Sequence, residues 1–246
     1  MSVSFGIMAE SPRCVRTTPG TYFDKTGVMR TARAQFLRPE YVYRNGVWIQ
    51  DGWLREKEGV NCFGGVNAGD ATYNTGGFSI GNFVCPDGKG RNVKATYPGN
   101  STAGFGYFGY LTTPSLFASV CVSLFVYSKG ASSEELTLTT KVSADPNVSS
   151  ATGQNFNPYT GSLNGLWASA NSVICDPVGD TGWVRVSLIW KNNLGKFVSG
   201  PFGIQLANSN NKNVAMAMWG LQIEFDVTQA SSLIISSGSA TIRTQD

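Results

Sequence analysis

The sequence predicts an all-β protein, a sandwich or barrel of short strands preceded by an arm of β-hairpins. Three observations predict it. Charged residues make up only 14% of the 246 positions, against the roughly 25% usual for globular domains, and glycine (29 residues), serine, threonine and asparagine take their place. Such a composition suits tight turns, where Gly and Asn occupy positive-φ positions, and it is poor material for helices. Apolar residues recur with period two in short runs bounded by turn clusters, and no amphipathic run of helical period is long enough to compete. Finally, two hairpin signals stand near the start.

In the first, residues 21–23 and 28–31 flank a four-residue loop, 24–27, that ends in Gly27. In the second, residues 41–43 and 47–49 flank Arg44, Asn45 and Gly46, and Asn-Gly is the strongest short hairpin signal. Arginines recur through this region (Arg13, Arg16, Arg30, Arg33, Arg38, Arg44, Arg55) and its apolar residues are scattered. Residues 1–60 therefore form an arm with too little apolar surface to fold alone, expected to rest on the main domain or on a neighbouring subunit.

Residues 61–246 read as a succession of strands at 78–85, 92–97, 120–127, 136–142, 166–174, 183–190, 202–206, 216–225 and 233–235. About eight to ten strands with such spacing indicate a sandwich or barrel. Two runs declare their faces by alternation. In 183–190, Val184, Val186 and Leu188 point one way, while Trp183, Arg185 and Ser187 point the other. In 219–225, Trp219, Leu221, Ile223 and Phe225 are expected on one face and Gln222 and Glu224 on the opposite one.

Net charge is +3 without a lysine or arginine block, so binding to nucleic acid through clustered cations is not expected. The five cysteines, Cys14, Cys62, Cys85, Cys121 and Cys175, are widely spread and include no CxxC pair. They read as small apolar residues of a protein folded in a reducing cytoplasm, with one long-range disulfide as the alternative. No basic segment followed by an apolar one opens the chain, so no signal peptide is expected. The longest apolar stretch, 116–127, is too short to span a bilayer.

Several segments, in order, resemble the bacteriophage appendage proteins of the head-spike and tail-fibre type. Residues 21–32 (TYFDKTGVMRTA) resemble that family's TYxDxxGxxxTA hairpin, with 14–18 (CVRTT) before it and Arg38-Pro39 after it. Residues 52–61 (GWLREKEGVN) stand where the family has GxLxExxxTN. Downstream, 85–88 (CPDG) with 93–96 (VKAT), 119–129 (SVCVSLFVYSK) and 182–187 (GWVRVS) are similar to further family segments. So are 219–224 (WGLQIE), 230–234 (ASSLI) and 240–243 (ATIR). The likeness is collinear over roughly residues 13–246, with Val60 where Thr is usual and Ile235 where Pro is common. It implies a jelly-roll-type β-sandwich similar to carbohydrate-binding modules. It also implies a virion location after assembly in the bacterial host cytoplasm, other virion proteins of capsid or tail as partners, and homo-oligomers, with trimers expected by analogy.

Histidine is absent from the chain, which removes Ser-His-Asp and Cys-His nucleophilic sites and every His-dependent metal centre. Among the sixteen carboxylates no pair stands out as a glycosidase dyad, and no phosphate-binding glycine loop is present. The expected function is that of a non-enzymatic virion structural protein, a head decoration or fibre or a tail appendage. The alternative is a carbohydrate-binding adhesin for host surface glycans, and a depolymerase is the third reading.

Two groups are candidate glycan sites. Trp183, Arg185, Gln222 and Glu224 share a polar face, with a charge-assisted Arg185–Glu224 bond if their strands are neighbours. They form either a sugar-binding groove or a structural ion pair beneath a loop or the arm. Tyr107 and Tyr110, in the glycine-interrupted run 105–110 (FGYFGY), either expose rings to a ligand or feed the core from a twisted edge strand. No metal site or cofactor is expected from the residue types. Calcium, common in sugar-binding jelly rolls, could be held by loop oxygens, although the sequence names no ligand set.

Overall fold

The computed structural model describes residues 16, 18–54, 56, 59–61, 79–96, 104–110, 118–129, 136–142, 152–156, 163–164, 172–191, 201–208, 215–234 and 241–243. All regular structure among them is β, and every strand pairing is antiparallel.

The arm begins with β1 (Gly20–Phe23) and β2 (Met29–Ala32), paired around the Asp24 loop. The Asp24 carboxylate closes that loop by accepting bonds from the Thr26 amide at 2.8 Å, the Thr26 hydroxyl at 2.6 Å and the Arg30 Nε at 2.7 Å. Next come β3 (Pro39–Arg44) and β4 (Val47–Trp53). Arg44 faces Val47 across a two-residue turn in which Asn45 (φ 51°) and Gly46 (φ 81°) are both left-handed. That is the geometry whose twist matches the flanking strands, and Asn-Gly adopts it at least cost.

The body holds two larger sheets. One comprises β6 (Ser79–Val84), β7 (Gly90–Thr96), β9 (Ser119–Lys129), β13 (Ser172–Pro177), β14 (Trp183–Lys191) and β16 (Ala215–Phe225), in the order β13-β14-β9-β16-β7-β6. The other comprises β8 (Gly104–Tyr110), β10 (Leu136–Val142), β11 (Thr152–Phe156), β12 (Leu163–Asn164) and β15 (Pro201–Asn208), in the order β12-β11-β10-β15-β8. A last pair joins β5 (Gly59–Asn61) to β17 (Thr241–Arg243).

Along β9, β14 and β16 the described side chains of both faces are largely buried. On one, Val122, Leu124 and Val126 align with Val184, Val186 and Leu188, all buried, as the alternation in the sequence requires. The opposite face carries Trp183, Phe125, Ala217 and Trp219. Met29 of the arm completes one core cluster with them, and Phe23 and Trp48 pack against it. Phe23 stacks on Trp48 at 5.3 Å and meets Phe125 edge-on at 6.4 Å. The Met29 amide donates to the Pro86 carbonyl at 2.8 Å. The hairpins thus lie against the sheet of their own chain.

Two expectations change. The alternation placed Trp219 with Leu221 and Ile223, yet Trp219 lies opposite Phe125 while Gln222 lies opposite Ser123. A β-bulge at Gly220 (φ 67°) inserts an extra residue there and turns Trp219 onto the face of Gln222 and Glu224. A glycine fits because a Cβ at that position would stand 2.9 Å from the Phe125 ring. The strand expected at 233–235 is also not formed over residues 233–234, and residue 235 lies outside the described residues. Side chains take the backbone groups that a ladder would need: Leu233 carbonyl accepts from Thr21 Oγ1 at 2.7 Å, and the Ile234 amide donates to Gln222 Oε1 at 2.6 Å.

Candidate functional site

The arm, the six-stranded sheet and the segment 226–234 after β16 meet in one polar junction. Arg38 is 1% exposed. Its guanidinium donates to the Thr21 carbonyl at 3.0 Å and to Ser232 Oγ at 2.8 Å, and it pairs with Glu56 at 2.8 Å. Glu56 in turn accepts from the Ser232 amide and hydroxyl. Arg16, equally buried, donates to the carbonyls of Thr18 at 2.6 Å and of Arg33 and Phe36 at 3.0 Å each. A buried guanidinium is tolerated where its donors find acceptors, and here the terminal N–H groups hold the carbonyls of β1 and of the loops beside it.

Arg185, Gln222 and Glu224 belong to the same junction, whereas Trp183 lies in the hydrophobic core cluster of that sheet face. Trp183 is 2% exposed and donates its indole N–H to the Val84 carbonyl at 2.9 Å, with Tyr127 and Phe83 against its ring. Glu224 is 1% exposed and accepts from Gln222 Nε2 at 2.8 Å, from the Ser231 amide at 3.0 Å and from Ser231 Oγ at 2.6 Å. Arg185 donates to the Ser231 carbonyl and lies 5.6 Å over the Phe125 ring. The direct Arg185–Glu224 bond is not made, because β9 lies between their strands. The two groups instead grip the backbone of Ser231 from either side. The strand face is therefore a covered one, and of these four residues Arg185 alone reaches an open cleft. Tyr107 and Tyr110 sit in β8, at one end of the five-stranded order, opposite Ile204 and Pro201; their side chains lie outside the described residues.

That cleft, of about 530 Å³, opens between the β3–β4 hairpin and the β13–β14 edge of the sheet. Tyr41, Tyr43 and Trp48 line the hairpin side; Asp176, Arg185 and Ser187 line the sheet side. Tyr43 faces Trp48 across the hairpin, their rings 5.4 Å apart. Asp176 is the direct cross-strand neighbour of Arg185. Burial raises the Asp176 pKa above the ordinary carboxylate value, and Arg185 opposes that shift. The sequence reading missed this cleft. Its signals were the two-residue spacing of Tyr41 and Tyr43, which puts both on one face, and an aspartate in a run otherwise suited to a strand.

Among the described residues no group of three or more Cys, Asp or Glu side chains gathers to hold a metal ion, and no helix is long and apolar enough to cross a membrane. Cys85, Cys121 and Cys175 are free thiols, each pushed up to about 12 by burial; Cys14 and Cys62 lie outside the described residues. No protein-family model matches the chain, and no curated protein matches it.

Proposed function

We propose that this chain is a non-enzymatic structural protein of a bacteriophage particle, a head decoration or fibre or a tail appendage, built as a jelly-roll sandwich with its N-terminal hairpins fastened across one sheet. One observation carries the reading. The segments on which the phage resemblance rests, scattered along the sequence, interlock in a single junction: Thr21 with Leu233, Arg38 with Glu56 and Ser232, Arg185 with Ser231, and Gln222 with Ile234. Motifs that are individually short and far apart thus have one shared task, holding the hairpins to the sheet.

Strand order supports the jelly roll. Four central strands of one sheet run β7-β16-β9-β14 and four of the other run β8-β15-β10-β11, so the chain alternates between sheets as two Greek keys would require. The buried apolar face of Val122, Leu124 and Val126 calls for a second layer, and the five-stranded sheet is the proposed partner. Mass spectrometry of purified particles tests the function. Stoichiometric presence of this polypeptide is expected, and consistent absence overturns the reading.

A further inference from the structure

We propose that Ser231 and Gln222 join in an ester cross-link that the folded chain forms on itself, with Glu224 as the base and ammonia as the leaving group. The reaction is a single event within the chain, and it stands whether or not the protein belongs to a particle.

Local geometry assembles the reactants. Gln222 and Glu224 are two residues apart in β16, so both side chains leave the same face, and they are 0% and 1% exposed. After β16 the left-handed Asp226 (φ 58°) turns the chain, and the following segment lays Ser231 against both side chains. Ser231 Oγ donates to Glu224 Oε1 at 2.6 Å, against 3.2 Å to the competing Ser232 carbonyl. The hydroxyl proton therefore faces the carboxylate. The Gln222 carboxamide nitrogen is 3.0 Å from the same Oγ, and the carbonyl carbon is one bond further. Gln222 Oε1 accepts from the Ile234 amide at 2.6 Å. Arg185 holds the Ser231 carbonyl and Glu224 its amide, so the hydroxyl is positioned before it reacts.

These contacts supply what acyl transfer needs. A serine hydroxyl is a weak nucleophile until a base within hydrogen-bond reach takes its proton. A backbone N–H aimed at the carbonyl oxygen stabilises the charge that develops there on attack, and does so best away from water. Fixing both partners in contact removes the entropic cost of bringing them together. Glu224 takes the Ser231 proton while Oγ adds to the Gln222 carbonyl carbon, and the Ile234 N–H carries the resulting oxyanion. Glu224 then passes the proton to Nε2, the C–N bond breaks and ammonia departs. The products are the Gln222–Ser231 ester and an ionised Glu224, with no further reactant. Ammonia escapes to solvent, and burial of Gln222 and Glu224 keeps water from the ester.

The bond closes the loop that carries the arm's partners. Ser232 donates to Glu56, the partner of Arg38, and the Leu233 carbonyl accepts from Thr21. A fastening of hydrogen bonds and an ion pair thereby gains a covalent anchor.

Intact-mass spectrometry of the purified full chain tests the cross-link. The measured mass should fall short of the sequence mass by one ammonia. Cleavage at Asp226 should leave the fragments carrying Gln222 and Ser231 joined, and dilute alkali should part them. Ser231→Ala and Glu224→Gln should each restore the full mass. Asn45→Gln, which removes the Asn45–Gly46 turn as another source of ammonia loss, should keep the deficit. The proposal is overturned by a full mass in the folded wild-type chain, by fragments that separate on cleavage, by a deficit mapped to Asn45–Gly46, or by a deficit that survives either variant. The wild-type mass and fragment map decide the question even where a variant fails to fold.

Discussion

Arg38→Ala is expected to destabilise the protein by about 3 kcal/mol, the lower end of the roughly 3–5 kcal/mol seen when one partner of a buried ion pair is removed. The lower end applies because Glu56 would keep its bonds from the Ser232 amide and hydroxyl and its side chain is 15% exposed. The Thr21 carbonyl and Ser232 Oγ would each lose a donor as well. Against a total stability of about 5–15 kcal/mol this is a large fraction. At roughly 2–4 °C per kcal/mol for a chain of this length, the melting temperature should fall by about 6–12 °C. Urea unfolding followed by tryptophan emission reads the change, since Trp183 and Trp219 are buried beside the junction. A loss below about 1 kcal/mol for Arg38→Ala would refute the view that this ion pair fastens the arm.

Gly220→Ala should cost about 2 kcal/mol or more, since φ 67° is strained for a residue with a Cβ and that atom would press on Phe125; thermal melting checks it. Asp24 is held at about 2: burial alone would raise it, but the bonds from Thr26, Arg30 and Val28 outweigh that. Because the folded value lies below the unfolded one, its contribution is present above about pH 4 and is lost as pH falls toward 2. After discounting for solvent screening it amounts to about 1 kcal/mol, and acid titration of Asp24→Asn should lack that component. Native protein treated with iodoacetamide at pH 8 should leave Cys85, Cys121 and Cys175 unlabelled in peptide mass spectra, because their thiols stay protonated up to about 12.

The sequence by itself determined the class of structure and its most local features. Period-two alternation located β14 and the apolar face of Val184, Val186 and Leu188, because side-chain direction in a strand depends only on neighbours in sequence. Asn45-Gly46 located the second hairpin, because a left-handed two-residue turn is a property of those residues. Tertiary structure decided the rest. Trp219 changed face because a bulge at one glycine outranked the alternation on either side of it. The strand expected at 233–235 is not formed over residues 233–234, and residues 231–234 gave their backbone groups to Thr21, Glu56, Gln222 and Glu224, partners up to 212 positions away. A bond between Arg185 and Glu224 was expected only if their strands were neighbours; strand order, invisible in the pattern, set β9 between them, and the two side chains hold Ser231 instead. The cleft of Tyr41 and Asp176 exists only where the arm meets the sheet edge. Local rules fix which way a side chain points; only the packed chain fixes what it meets.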